Sequence, residues 1–145
     1  MQFPSRRSFI HILFLFSSPV YAGNPIVHYE PSRVKLSGSL DLQTFPGPPN
    51  YESIADGDRM ERHFYLKLDQ PIDVLESKED TDQNSENEKN VQIVQLAING
   101  EDEALWSKFR RAGKGAHVVI TGELFHRLTG HHHSRVLLSV EKLNE

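Results

Sequence analysis

Residues 91–126 read VQIVQLAINGEDEALWSKFRRAGKGAHVVITGELFH, and the order of patterns inside this stretch decides the fold. In Val91–Ile98, the residues Val94, Leu96 and Ile98 alternate with other neighbours, which is the period of a half-buried strand. Val118, Ile120, Gly122 and Leu124 do the same in Ala116–His126. Between these strands the period changes. Leu105, Phe109 and Ala112 fall at i, i+4 and i+7, one apolar stripe of a helix that can close over a core. Trp106 flanks that stripe and is expected to pack on the core. Asn99 is the expected N-cap. Glu101, Asp102 and Glu103 put negative charge in the first turn, Lys108, Arg110 and Arg111 put positive charge in the last, and Gly113 ends the helix.

Working outward, three more segments alternate. Arg33–Phe45 carries Val34, Leu36, Leu40 and Leu42 on one face, with Gly38 marking a bend. His63–Val74 places Phe64, Leu66 and Leu68 inward and His63, Tyr65 and Lys67 outward, and Pro71 points to a strand end or an edge. Arg135–Leu143 places Val136, Leu138 and Val140 inward. The order β-β-β-α-β-β predicts a mainly β (α+β) domain, a five-stranded OB-like Greek-key barrel with one helix between strands 3 and 4. A different small α+β domain built on an antiparallel sheet is the competing architecture.

The chain has 145 residues and no cysteine, so its core is expected to hold by packing without disulfides. Its first 22 residues read as a signal peptide. Arg6 and Arg7 precede the apolar run Ile10–Phe16, and Val20-Tyr21-Ala22 offers a cleavage site before Gly23. The run is shorter than the roughly 20 residues that span a bilayer, so no transmembrane segment is expected. Ser5-Arg6-Arg7-Ser8-Phe9-Ile10 resembles a twin-arginine signal, but the strongly apolar run favours the Sec route, and the periplasm is the expected location. Residues 23–32 then form an N-terminal extension and 33–145 the barrel domain. Within it, residues 76–90 are polar and free of aromatics, with six acidic and two basic residues, and are expected to be a flexible acidic loop. They lack the glycine and closing glutamate of an EF-hand loop. The net charge of −4 becomes −6 once Arg6 and Arg7 are removed, and no basic patch stands out, which argues against nucleic acid as a partner.

In an OB-fold, the loop joining strands one and two and the loop joining strands four and five flank one ligand face. Here those are the two most unusual segments. The first, within residues 45–62, carries Pro46-Gly47-Pro48-Pro49 and then Tyr51, Glu52, Asp56 and Asp58; the prolines make it stiff and preorganised. The second, residues 126–134, holds four of the eight histidines. His126 shares the inward parity of Leu124 and is expected at the barrel mouth beside Arg127. Tyr51, Glu52, Asp56, Asp58, His126 and Arg127 are thus the expected partner-binding groups. A zinc or copper site would use His126, His131 and His133 with Asp56, although this spacing matches no closed ligand motif. A turn of solvated histidines, or a pH-responsive surface, explains the same residues.

The runs Phe45–Ile54 and Val119–His126, the latter leading into Thr129-Gly130-His131-His132-His133, resemble an uncharacterised bacterial family of exported domains, domain-of-unknown-function family 4431. The resemblance covers roughly Val34 to Leu143 and implies export from a bacterial cell, without an activity. Members of that family are often lipid-anchored or fused to other exported domains, and the acidic run 76–90 departs from the matching segments.

No Gly-x-Ser-x-Gly elbow, phosphate loop or His-Glu-x-x-His helix is present. A hydrolytic role for His126 with Asp56 or Asp58 has no recognised spacing behind it. The expectation is therefore a periplasmic binding protein without catalysis. Its partner would be an exported protein, such as a toxin or cell-wall enzyme held in an immunity or inhibitor complex, or a cell-wall fragment. A metal-binding or metal-sensing protein is the alternative.

Overall fold

Strand β2 (Arg33–Pro46) is where the sheet rolls up. Its first half pairs antiparallel with β5 (His117–His126), from Arg33↔Glu123 to Ser39↔His117, and its second half with β3 (Met60–Leu75), from Gly38↔Leu68 to Pro46↔Met60. The change of partner falls at Gly38–Ser39. A Cβ on Gly38 would collide with the carbonyl oxygen of Lys67, so the missing side chain is what lets the neighbouring backbone close in.

This computed structural model describes residues 23–77 and 86–144. The expected signal segment and the centre of the acidic run lie outside the described residues. After β3 come β4 (Glu88–Ala97), helix α1 (Glu103–Ala112), β5 and β6 (Val136–Asn144). β3 pairs with β4 antiparallel, β4 with β6 parallel, and β6 with β5 antiparallel, so β3-β2-β5-β6-β4 closes on itself. The expected five-stranded barrel with its helix between the third and fourth barrel strands is the observed fold, closed by the short parallel pairing of β4 with β6 at Gln95–Ala97. A second close backbone approach, of Ser139 on Gly122, coincides with the register shift in the β5–β6 ladder.

The interior is filled by the alternating residues, among them Leu36, Leu40, Leu66, Val94, Leu96, Val118, Ile120, Leu124 and Leu138, all buried. Helix α1 presents Leu105 and Phe109 to this core, and Phe109 packs 5.4 Å from the ring of Phe64. Trp106 is half-buried against the same cluster and donates its indole N–H to the carbonyl of Asn99 at 3.1 Å.

Two expectations require correction, and a third holds with an addition. Asp102, not Asn99, caps the helix. Its carboxylate accepts from Leu105 N at 2.9 Å, while Asn99 serves a turn just before it by accepting from Glu101 N. Residues 23–32 are part of the fold. Ile26–His28 form β1, parallel to β3 at Asp73–Leu75, and Tyr29 is 1 % exposed, with Glu30 N donating to Leu124 O. Tyr65, read as outward, does point out of the barrel but is 3 % exposed because another segment covers it.

Candidate functional site

The covered face is the outer surface of β2, β3 and β4, the face that OB-folds use for ligands. Register puts Phe45 opposite Glu61, Gln43 opposite His63, and Tyr65 opposite both Asp41 and Gln95. These side chains share one side of the sheet because each strand alternates. Over them lies the histidine turn between β5 and β6.

Gln95 holds that turn in place. It is 2 % exposed, donates from Nε2 to the carbonyl of His131 at 2.8 Å, and accepts at Oε1 from the amides of His133 (2.6 Å) and Ser134 (3.2 Å) and from the hydroxyl of Tyr65 (3.4 Å). One buried amide thus satisfies three backbone groups of the turn. Burial pushes the Tyr65 phenol up to about 12, so it stays a neutral donor. The ring of His133 stacks flat on Phe45, with centroids 3.9 Å apart and planes 3° from parallel.

The proline loop reaches the same place from the other side. Asp58 organises it. The Asp58 carboxylate accepts from the amides of Asn50 (2.9 Å), Glu52 (2.8 Å) and Ser53 (2.9 Å), which hold its pKa below the ordinary range. Tyr51 follows with φ 60°, a left-handed backbone unusual for an aromatic residue, and its hydroxyl lies 3.0 Å from His131 Nε2. His131 Nδ1 lies 2.7 Å from Glu61 Oε1, and Glu61 Oε2 lies 3.2 Å from His63 Nε2. An Nδ1–H directed at the carboxylate leaves Nε2 of His131 free to accept from Tyr51. Tyr51, His131, Glu61 and His63 therefore form one polar chain across both loops and β3. Burial works to raise the Glu61 pKa, but the hydrogen bonds from His131 and His63 outweigh it and hold it low. Gly47 leaves room for this carboxylate, since a Cβ there would strike the Glu61 side chain.

The two loops meet, as the fold hypothesis required: Tyr51 and His131 touch, and the Tyr51 ring also lies against Gly130. The expected metal set does not assemble. Among the described residues, the group of donors close enough to hold an ion is Glu61, His63 and His133, whose ligand atoms all lie within 4.8 Å of one another. His126 is absent from it because its ring packs on Tyr29 at 3.8 Å, and Asp56 is exposed in the loop. Asp58 is engaged with backbone amides, and Glu52 contributes its own amide to that turn. His126 and Arg127 instead line a separate cavity of about 430 Å³ with Glu86, Glu88 and Arg135. Glu61, His63, Gln95 and Phe45 were not singled out from the sequence. The available signal was the Glu-x-His spacing of residues 61 and 63, two positions that share one face of a strand.

Nε2 of His133 is buried without a hydrogen-bond partner among the described residues, an arrangement that costs on the order of 1–3 kcal/mol for a neutral polar group. Burial, with His63 nearby, pushes the His133 pKa down, so its ring is the neutral form. Beside the cluster opens a cavity of about 360 Å³, lined by Phe64, Leu96, Ile98 and Trp106 and bordered by Glu61 and His63. It lies where β3 and β4 separate: their pairing stops at Tyr65↔Gln95, and from Gln95 onward β4 pairs with β6.

A closed OB-like barrel whose outer face carries a tied-down pair of loops and an imidazole–carboxylate cluster is the class of domain that this fold and site define. Within that class, residues 93–144 match the family profile described as domain of unknown function (DUF4431), in line with the resemblance of the sequence. The matched stretch includes Gln95 and the histidine turn. No curated protein and no solved structure matches the chain.

Proposed function

We propose that this domain is a non-catalytic binding module of the bacterial periplasm, and that it engages an exported protein through the surface formed by residues 47–59 and 127–135. The observation that carries the reading is the Tyr51–His131–Glu61 chain, which fixes two loops against each other before any partner arrives. A surface ordered in advance loses little conformational entropy on binding. Three of the exposed large apolar side chains, Ile54, Met60 and Leu128, fall on these loops or at the start of β3 beside them, which suits a protein partner. The net charge, −4 for the whole chain and −6 once Arg6 and Arg7 are removed, favours a basic one, by steering its approach. An immunity or inhibitor role against a toxin or a cell-wall enzyme fits such a module.

The test is site-specific photo-crosslinking in the native envelope. A photoreactive residue at position 54 or 128 gives one discrete adduct, and the same residue at position 142, on the far part of β6, gives none. Excess wild-type chain suppresses the adduct, whereas a Tyr51→Ala plus His131→Ala variant suppresses it at least ten times less well. Equal adduct yield from position 142, or equal competition by the double variant, overturns the reading. Export is tested separately: the envelope-located chain begins at Gly23, and an unprocessed N-terminus contradicts it.

A further inference from the structure

We propose that Glu61, His63 and His133 form a zinc site that ties the start of β3 to the histidine turn. It draws on a different set of donors from the one the sequence pattern suggests, and it does not depend on the partner-binding reading.

Each donor is positioned by an independent feature. Glu61 and His63 sit two apart on β3, so both project from the outer face, and Glu61 Oε2 and His63 Nε2 already lie 3.2 Å apart. That is close to the separation of two ligands on one tetrahedral zinc, whose bonds are about 2.0–2.2 Å. His133 comes from a segment about seventy residues away in the chain. It is fixed there by its stack on Phe45 and by its amide bond to Gln95. The three ligand atoms lie within 4.8 Å of one another, so rotations of side chains suffice to bring them onto one ion.

The surroundings are those of a ligand set. The His133 ring carries a buried nitrogen with no hydrogen-bond partner among the described residues. His63 ligates through Nε2 with its proton on Nδ1, so the ion takes the place of the proton that now joins His63 to Glu61. The other carboxylate oxygen keeps its bond to His131, which Tyr51 holds in turn. Outer hydrogen bonds of this kind orient a ligand and fix its tautomer. Two histidines and one carboxylate leave a fourth position open, on the border of the cavity that Glu61 and His63 share with Trp106 and Ile98. Zinc suits two imidazoles and a carboxylate without sulfur. The open position would take an anionic or imidazole group.

The test uses the purified chain, stripped with chelator, with zinc chloride as probe and no partner present. Titration calorimetry and elemental analysis give one zinc per chain, and zinc raises Tm. His63→Ala and His133→Ala each weaken binding at least 100-fold and abolish the Tm rise, while circular dichroism checks that both variants remain folded. Glu61→Gln, which keeps the shape, weakens binding at least tenfold. His126→Ala, on the Tyr29 side, leaves it unchanged. No uptake at 100 µM zinc overturns the proposal. So does binding that survives His63→Ala but is lost in His131→Ala plus His132→Ala, which would assign the ion to the exposed turn alone. Failure here leaves the crosslinking result untouched, and the converse holds as well.

Discussion

Among single residues, Gln95 and Asp41 carry the most structural consequence, and neither stands out in the sequence. Gln95 lies in a strand whose apolar partners define the pattern, so it reads as an ordinary outward polar residue. Its importance comes from the turn folded over it, a tertiary event that strand periodicity does not encode. Gln95→Leu keeps the volume but strips three backbone groups of the turn and the Tyr65 hydroxyl of their partner. It is expected to cost about 2–4 kcal/mol in urea unfolding and to speed amide exchange at His133 and Ser134, on the basis of about 1–3 kcal/mol for each buried group left unpaired. Asp41 is buried on the same face, with Lys114 at 3.0 Å and Lys67 at 3.1 Å. The hydrogen bond from Lys114 leads the causes that hold its carboxyl well below the usual range, despite burial. A folded pKa below the unfolded value of about 3.9 means the stabilisation is fully present above that pH and is lost as pH falls toward the folded value. Asp41→Asn should therefore lower stability near pH 7 by about 1–3 kcal/mol and flatten the loss of stability below pH 4. An unchanged acid limb in pH-dependent unfolding would contradict this.

For the elements, the sequence was most informative where one face is buried and the period is clean. The five barrel strands and the helix are all present with near-matching bounds, because an error of one residue would turn a whole apolar set outward. Termini were less legible. The helix begins at Glu103 because Asp102 takes the capping bond, whereas the sequence placed the cap at Asn99, an equally good capping residue type. The site was half legible. Loop adjacency followed from topology, so the meeting of Tyr51 and His131 was legible, whereas Glu61 passed unremarked within the segment 45–62 and His63 was read as an outward residue of the scaffold strand. Bends were marked by glycine, and their purpose is now explicit. Gly38→Ala places a methyl against the carbonyl of Lys67, which is backbone and cannot rotate away. The β2–β3 ladder must shift, with an expected cost of about 1–3 kcal/mol, whereas Gly100→Ala meets open space and should cost no more than a few tenths. Thermal unfolding of the pair checks the contrast.

The molecule as a whole is held at one further place that periodicity missed, since β1 is only three residues long and too short to show a pattern. Parallel pairing to β3 brings Tyr29 onto the core, against Leu124 and under the ring of His126. Its phenol is pushed up by burial first and by the negative charge of Glu88 second, so it is neutral at any physiological pH. The hydroxyl nevertheless has no hydrogen-bond partner among the described residues. These two facts separate the roles of ring and oxygen. The ring fills interior volume, so Tyr29→Ala should destabilise the barrel by about 3–5 kcal/mol, as for other large aromatic-to-alanine changes in a core. The oxygen is buried without compensation, so Tyr29→Phe should be neutral or stabilising by up to about 1 kcal/mol. Chemical denaturation of the two variants resolves the question. If Tyr29→Ala is as stable as the parent, residues 26–30 are an appendage and the domain begins at β2. If Tyr29→Phe costs as much as a lost hydrogen bond, the hydroxyl has a partner, and the pairing of His126 Nε2 with it would be the first place to look, since that nitrogen is also buried and unpaired.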